Sequence, residues 1–293
     1  MVGKVTLISM KKQRRLVALG FGSILLTGAA HAQDARIPGK MALIQYNADL
    51  HFADSATNLR KRREFAEDAV KDGANIVVFP EGSIQGYASA TETWCTGNQT
   101  SCADHRCRDI GTAAETVPGG TVSNLWAAFA REHQIYIIFN QPEVDQGVYY
   151  NTSAVMGPRG FVAKYRKREL YYIDRCYARA GTTPTLFDTP YGKFGLLICA
   201  DANSLSKFTA YREAGAHAVV VPMDWDQSPT RRPAIEFFAE QAANAQVDVY
   251  AADVSPWDGT GKYRATGGPR ERNGLATLAA GVDGISTHAL NYR

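Results

Sequence analysis

Short apolar runs that each end in a reactive side chain are the feature that most restricts how this chain can fold. Residues 194–198 lead into Cys199, and residues 76–79 lead through a proline into Glu81. Apolar runs of this length are typical of parallel strands that are buried on both faces. Such strands carry the residues that follow them to one edge of the sheet, where ligands bind. The pattern predicts an α/β fold with a functional site at that edge.

Strand-like and helix-like patterns alternate along the chain, which favours a layered α/β architecture. Asp54 or Ser55 is the expected cap of the first helix, and Gly73 is its expected end. The predicted helices are 56–72, 121–133, 206–214 and 233–245. The predicted strands are 41–46, 75–79, 134–140, 148–156, 161–165, 194–198, 217–222 and 247–252, with a terminal hairpin of 274–280 and 284–290. We expect residues 183–190 to be irregular and residues 94–109 to form an inserted loop.

Basic residues follow a third predicted strand, the second arm of the hairpin at 148–165. A cysteine nucleophile needs a base to accept its proton and donors to stabilise the oxyanion that forms when it attacks a carbonyl. Glu81 and Lys167 offer these groups at strand ends, as Cys199 offers the thiol. A buried cysteine taken alone is more often an inert apolar residue. The hypothesis of catalysis therefore rests on the three residues together.

The order Glu81, Lys167, Cys199 resembles the catalytic set of the nitrilase superfamily of carbon-nitrogen hydrolases. The resemblance covers nearly all of residues 40–290. The segments that carry it are Phe79-Pro80-Glu81 with Gly86-Tyr87, Tyr150-Asn151-Thr152-Ser153-Ala154, Lys164-Tyr165-Arg166-Lys167, residues 195–201, and residues 215–222 with Trp225. This resemblance implies a four-layer αββα sandwich of the nitrilase type, which usually assembles into homodimers or larger homo-oligomers.

The resemblance also implies a reaction. Cys199 would attack an amide carbonyl, and Glu81 would take the thiol proton, pass it to the leaving nitrogen and then activate the water that cuts the thioester. Lys167 would stabilise the oxyanion, with the backbone N–H of Ala200 as a second donor. The family register selects Lys167, and Lys164 is the alternative. The family requires no metal or organic cofactor, so we expect none.

Two positions depart from the family pattern. Many relatives carry a second active-site glutamate between the lysine and the cysteine, and the nearest acid at a suitable interval here is Asp174. Relatives that hydrolyse nitriles commonly have Trp-Glu after the cysteine, where this chain has Ala200-Asp201. The difference favours an amide or carbamoyl substrate over a nitrile. Asp174, Tyr87 and Trp225 are the predicted substrate-binding residues, and ordinary packing explains the two aromatic rings equally well.

Three classes of function fit this pattern. The first is hydrolysis of a linear, non-peptide C–N bond in a small amide or carbamoyl amine, with nitrile hydrolysis as a variant. In the second, an acyltransferase passes the same thioester to an amine or a lipid. The third is a non-enzymatic scaffold with the same fold, which needs no unusually reactive thiol. The presence of all three reactive side chains at strand ends favours hydrolysis of a small-molecule substrate.

The N-terminus has the features of an export signal. Four basic residues at 11–15 precede a mostly apolar stretch at 16–30, and Ala30-His31-Ala32 fits a cleavage site. We predict a signal peptide at 1–32, a single domain at 33–293, and a periplasmic or secreted enzyme with no stable membrane anchor. An uncleaved membrane helix and twin-arginine export are the alternatives. Removal of residues 1–32 takes away five of the 32 basic residues and none of the 29 acidic ones, leaving no excess positive charge for nucleic acid.

Five cysteines in an exported chain predict disulfides. If Cys199 stays a free thiol, four cysteines are left, and they allow three pairings. These are Cys95, Cys102, Cys107 and Cys176. The first three could instead bind zinc together with His105, although their spacing fits no usual zinc finger.

Overall fold

The structure is a computed structural model that describes residues 36–225, 233–256, 259–265 and 278–292. The described residues from Arg36 onward form one compact unit. The predicted signal peptide, residues 1–32, lies outside the described residues. Within the described ranges, no helix is long and apolar enough to cross a membrane.

Fourteen strands and four α-helices are present in the described residues. The helices are α1 (Ser55–Lys71), α2 (Thr121–His133), α3 (Leu205–Glu213) and α4 (Ala234–Ala245). The strands are β1 (Gly39–Gln45), β2 (Ile76–Val78), β3 (Glu92–Cys95), β4 (Ser101–Cys102), β5 (His105–Asp109), β6 (Tyr136–Asp145), β7 (Val148–Gly157), β8 (Gly160–Arg166), β9 (Thr185–Thr189), β10 (Gly192–Leu196), β11 (Ala218–Pro222), β12 (Asp248–Ala252), β13 (Gly261–Tyr263) and β14 (Gly284–Leu290).

Two sheets contain most of these strands. One has the order β14-β1-β2-β6-β7-β8, and the other has the order β13-β12-β11-β10-β9. Pairing is parallel among β1, β2 and β6 in the first sheet and among β10, β11 and β12 in the second. Antiparallel strands flank both parallel sets. The segments that follow β2 and β10, which hold Glu81 and Cys199, therefore leave the carboxyl ends of parallel strands.

Alternate side chains of the central strands enter two different cores, as the two-residue period of a strand requires. Met41 and Leu43 of β1 belong to a cluster with β10, β11, β12, α3 and α4. Ala42 and Ile44, between and beyond them, belong to a cluster with α1 and α2. The layers are therefore α1 with α2, the six-stranded sheet, the five-stranded sheet, and α3 with α4. This is the predicted four-layer αββα sandwich.

Most predicted elements are confirmed, and their ends follow the expected local chemistry. The helix predicted at 121–133 has those bounds, and the other three helices begin and end within one residue of prediction. Asp54 is the cap of α1, because its side chain accepts a hydrogen bond from the Thr57 backbone N–H at 3.0 Å. Gly73 follows the helix with a φ of 81°, a conformation that glycine adopts without steric cost.

The prediction that residues 183–190 are irregular is wrong. They contain β9, which pairs antiparallel with β10 and places Phe187 beside Phe194 in the core. The pairing partner decides this conformation, and the local pattern does not reveal it.

The predicted terminal hairpin is confirmed in its second arm, since residues 284–290 form β14 and pair antiparallel with β1. Residues 278–280 of the first arm are not a strand, and residues 274–277 lie outside the described residues.

The segment predicted as an inserted loop is ordered as a small sheet with the order β3-β5-β4. Two disulfides, Cys95–Cys107 and Cys102–Cys176, hold this segment. The pairing uses all four candidate sulfurs, so the alternative of a zinc cluster with His105 is wrong. Cys199 is the free cysteine of the chain.

Candidate active site

Glu81 is held by groups from both sheets. Pro80 ends the extended segment after β2, and the Glu81 backbone N–H donates to the carbonyl of Met223, which follows β11, at 3.3 Å. One carboxylate oxygen, Oε1, accepts hydrogen bonds from Lys167 Nζ and Asn151 Nδ2, both at 2.7 Å. The other oxygen, Oε2, accepts from the Asp224 backbone N–H at 3.2 Å. The carboxylate therefore lies where the ends of the two sheets meet, and it is 1% exposed.

Lys167 follows β8 directly and is completely buried. Its ammonium group lies 2.7 Å from Glu81 Oε1 and 2.6 Å from Asp174 Oδ2. Asp174 lies in a short helical turn, Asp174–Cys176, and it also accepts hydrogen bonds from Asn151 Nδ2 at 2.9 Å and the Tyr171 backbone N–H at 2.8 Å. We call Glu81, Lys167 and Asp174 the active-site cluster. The predicted second carboxylate thus binds the lysine directly.

Cys199 begins a tight turn after β10. Its φ of 40° is in the left-handed region, which costs a non-glycine residue about 1–3 kcal/mol and is common at functional sites. Asp201 holds this turn by accepting hydrogen bonds from the backbone N–H of Ile198 at 3.2 Å and of Glu169 at 2.9 Å. Lys207 Nζ neutralises the Asp201 carboxylate at 2.7 Å. The nucleophile turn is therefore tied to the segment that carries Lys167.

The thiol and the active-site cluster meet at one residue. Cys199 Sγ donates to the carbonyl oxygen of Asp224 at 3.3 Å, and the N–H of the same Asp224 donates to Glu81 Oε2. The structure therefore brings together all three predicted residues, Glu81, Lys167 and Cys199, which are scattered over the sequence.

Burial has the largest single effect on the pKa of each of these three groups, and the neighbouring charges add to it or oppose it. Burial raises the pKa of the Cys199 thiol well above its ordinary value, and Glu81 raises it further, while Lys167 opposes both. Burial also raises the pKa of Glu81 against the opposing effect of Lys167, and Asp174 adds to the increase. Burial lowers the pKa of Lys167, but Asp174 and Glu81 together raise it well above its ordinary value. The resting site thus holds a neutral thiol beside a permanent cation.

Two other predicted residues lie at this site. Tyr87 is 6% exposed, its ring centroid is 5.5 Å from Lys167 Nζ, and its hydroxyl has no hydrogen-bond partner among the described residues. Trp225 directly follows Asp224 and stacks on Phe237 with ring centroids 4.8 Å apart. Tyr87 therefore lies beside the active-site cluster, whereas the ring contacts of Trp225 are those of a packing residue.

The alternative lysine lies elsewhere. Lys164 Nζ contacts Glu143 Oε1 and the carbonyl of Val117, and the side chain is 29% exposed. Lys164 and Lys167 are separated by an odd number of positions, so they face opposite sides of the extended segment. The structure therefore places Lys167, and not Lys164, beside Glu81.

Sequence reasoning missed the polar residues that orient the cluster. Asn151 of β7 donates to both Glu81 and Asp174, and its own Oδ1 accepts from Asn140 Nδ2 at 2.7 Å. Asn140 Oδ1 in turn accepts from the Gly82 backbone N–H at 2.9 Å. The sequence signal that could have found them is an asparagine within a predicted buried strand. A buried side-chain amide needs hydrogen-bond partners, so such a residue predicts a polar network. Among the described residues, no group of three or more His, Cys, Asp or Glu side chains is arranged to hold a metal ion.

Comparison with known proteins identifies the family. The profile described as carbon-nitrogen hydrolase matches residues 40–269. The chain belongs to the carbon-nitrogen hydrolase family. Among curated carbon-nitrogen hydrolases, the omega-amidase NIT2 of Mus musculus is 31% identical over 228 residues, which cover 74% of each chain. A nitrilase of Pyrococcus abyssi is 31% identical over 163 residues, covering 55% of this chain and 56% of the nitrilase.

Solved carbon-nitrogen hydrolases share the fold. A Saccharomyces cerevisiae member of branch 10 of the nitrilase superfamily superposes with a TM-score of 0.69 at 22% identity, covering 89% of this chain and 92% of its own. An amidase from Nesterenkonia sp. superposes with a TM-score of 0.66 at 17% identity, covering 86% and 90%. These structures confirm the α/β sandwich, and the family makes the protein a hydrolase of carbon-nitrogen bonds.

Proposed function

We propose that this protein is an exported thiol amidohydrolase that cleaves a non-peptide linear C–N bond of a small amide or carbamoyl amine. One observation carries the proposal: a free cysteine on a strained turn binds the backbone C=O of Asp224, whose N–H binds Glu81 of the fully buried Glu81–Lys167–Asp174 cluster. A buried cation between two carboxylates is expensive to build. Such an arrangement beside a nucleophile is typical of an active site rather than of packing.

The geometry supports a two-step reaction through a cysteine thioester. Cys199 Sγ attacks the carbonyl carbon while its proton passes to Glu81, whose pKa burial raises above that of an ordinary glutamate and which is therefore a stronger base. The carbonyl electron pair moves to the oxygen, which Lys167 and the Ala200 N–H stabilise. Collapse of this intermediate breaks the C–N bond, and Glu81 returns the proton to the leaving nitrogen. Glu81 then deprotonates a water molecule, whose oxygen attacks the thioester carbonyl. The C–S bond breaks to release the carboxylic acid, and the proton on Glu81 returns to the Cys199 thiolate.

Amide hydrolysis is favoured over nitrile hydrolysis by the residues that follow the nucleophile. Ala200 is small, and Asp201 is buried and committed to backbone donors and to Lys207. Neither residue provides the Trp-Glu pair that commonly follows the cysteine in nitrile-hydrolysing relatives. The omega-amidase relative supports the same choice, because its match covers more of this chain than that of the nitrilase.

Export is the second part of the proposal. The two disulfides support this part, because disulfides form and persist in oxidising compartments such as the periplasm or the cell exterior. We propose that the chain is secreted through the signal at 1–32 and that the mature enzyme is a homodimer or larger homo-oligomer. Fractionation of cells that express the full chain tests the location, and light scattering of the mature protein tests the oligomer.

An ammonia-release screen of the mature protein tests the activity, with small amides, carbamoyl amines and nitriles as substrates. We expect release from at least one amide or carbamoyl amine and none from the nitriles. Cys199→Ala should abolish release and retain the circular dichroism spectrum of the parent. Intact-mass analysis of rapidly quenched parent enzyme should show an acyl group on Cys199. Hydrolysis that persists in Cys199→Ala would contradict the proposal.

A further inference from the structure

One short turn belongs to both the active-site cluster and the disulfide-bonded sheet. Asp174 begins the turn Asp174–Cys176 and binds Lys167, and Cys176 ends it with a disulfide to Cys102 in β4. The residue that binds Lys167 and the residue that forms the disulfide are therefore only two positions apart. Cys176 is 2% exposed, so the bond lies in the protein interior at this end. Any movement of Cys176 is therefore transmitted to the carboxylate that holds Lys167.

Few other contacts attach this turn to the small sheet. The carbonyl of Cys176 accepts hydrogen bonds from the Thr96 backbone N–H at 3.2 Å and from Gln99 Nε2 at 3.4 Å. Tyr177, the next residue, packs with Trp94 of β3 and with Ile110, which follows β5. The Cys102–Cys176 disulfide is the covalent link, and it closes a chain separation of 74 residues. Without it, only these non-covalent contacts join the turn to the small sheet, while Lys167, Asn151 and the Tyr171 N–H still hold the Asp174 carboxylate from the other side.

The other disulfide provides a natural contrast. Cys95–Cys107 lies within the small sheet and closes a separation of only 12 residues. It joins β3 and β5, which are already paired as parallel neighbours in that sheet. Neither cysteine belongs to the turn that carries Asp174. Loss of this bond therefore loosens the small sheet without releasing the turn.

We propose that the Cys102–Cys176 disulfide is a positioning element of the active site, which holds Asp174 against Lys167 and so sets the reactivity of Cys199. The inference rests on the proposed function, in which Lys167 serves the reaction of the Cys199 thiol. It assigns different roles to the two disulfides: Cys95–Cys107 stabilises the small sheet, whereas Cys102–Cys176 also maintains the active-site cluster.

The rate at which iodoacetamide alkylates Cys199 tests the inference without a substrate. The variants are Cys102→Ser/Cys176→Ser and, as the matched control, Cys95→Ser/Cys107→Ser, each of which leaves Cys199 as its single free thiol. We expect at least a fivefold change in the alkylation rate constant for the first variant and less than a twofold change for the second. Circular dichroism at the assay temperature verifies that both variants are folded.

Asp174→Asn separates positioning from general loosening. If the disulfide acts through Asp174, then Asp174→Asn alters alkylation in the same direction and to a similar extent as Cys102→Ser/Cys176→Ser. Combining the two changes then adds less than a twofold effect, because coupled residues are not additive. Three results would each overturn the inference. The changes in the alkylation rate constant from Asp174→Asn and from Cys102→Ser/Cys176→Ser could multiply in the combined variant. The two disulfide variants could change the rate constant equally, or Cys102→Ser/Cys176→Ser could leave it unchanged.

The alkylation assay also separates this inference from the proposed function. A parent enzyme that hydrolyses no amide but shows the expected alkylation pattern contradicts the proposed activity and supports the positioning role. An active enzyme whose alkylation rate is the same in all variants contradicts the positioning role alone.

Discussion

Two ionic clusters lie on opposite sides of β8 and its end, and they use the same chemical groups in different ways. The active-site cluster joins one cation, Lys167, to two carboxylates, and both salt-bridged side chains of each pair are 0% exposed. The outer cluster, as we call it, joins Lys164 and Arg166 to Glu143 and Asp145. Its cations are 29% and 22% exposed. The active-site cluster has an excess of acid and is fully buried, whereas the outer cluster is balanced in charge and partly exposed.

The pKa values of the two buried glutamates consequently shift in opposite directions. Burial raises the pKa of Glu81, and the single lysine that opposes this effect is shared with Asp174. Burial also acts to raise the pKa of Glu143, but hydrogen bonds from Arg166, Lys164 and a threonine outweigh it and lower the pKa. Hydrogen bonds and cations around a carboxylate favour its anionic form and so lower its pKa. The comparison teaches that Glu143, which two cations serve, has a lowered pKa, whereas Glu81, which is fully buried and shares one cation with Asp174, has a raised one.

Replacing each glutamate with glutamine should give the largest difference in kcat between the two clusters. Glu81→Gln removes the proposed general base, so we expect kcat for amide hydrolysis to fall by about 10⁴-fold while the fold is retained. Glu143→Gln removes a structural anion, and we expect kcat to stay close to that of the parent. The measurement is ammonia release under saturating substrate. Comparable losses in the two variants would show that Glu81 has no special role.

Replacing the lysine of each cluster should change the free energy of unfolding by different amounts. Lys167→Met leaves two buried carboxylates without their cation, and we expect a loss of about 3–5 kcal/mol in the free energy of unfolding together with loss of turnover. Lys164→Met leaves Glu143 with Arg166, and solvent screens the partly exposed pair, so we expect a loss of about 1 kcal/mol or less. Urea unfolding measures both values. Equal losses would contradict the assigned difference in burial.

The pH profile gives the smallest expected effect. The base must be deprotonated, so the raised pKa of Glu81 places the acid limb of kcat/KM above the pH of an ordinary glutamate. Asp174 contributes to that raised pKa, so Asp174→Asn should move the limb to lower pH. Asp145→Asn, in the outer cluster, should leave the limb in place. A limb that Asp174→Asn leaves unchanged would contradict this assignment.

Elements with a strong local period were predictable, and elements defined by a distant partner were not. The helix at 121–133 was predicted to the residue because its apolar spacing is complete within one segment. β9 was missed because its pattern is weak until Phe187 is placed beside Phe194. The small sheet was taken for a loop because its strands are short and polar, and disulfides rather than a large apolar face hold them together.

Site residues divide in the same way. Glu81, Lys167 and Cys199 were predicted because each follows a readable strand and their order resembles that of the family. Asp174 was placed only by its interval, since its turn has no regular pattern of its own. Asn151 lies in a segment that resembles the family, yet its bonds to Glu81 and Asp174 are not predictable from the sequence, because side-chain direction depends on the register of β7 in the assembled sheet.

The sequence by itself determined an α/β class and the strand ends that carry Glu81, Lys167 and Cys199. These features depend on local periodicity and on the order of a few residues, and the four-layer αββα arrangement was implied by the resemblance to the family. Only the tertiary structure decided which carboxylate binds Lys167, which cysteines pair, and in which direction Glu81 and Glu143 titrate. Each of those outcomes depends on burial and on groups far apart in the chain, which become neighbours only when the two sheets pack.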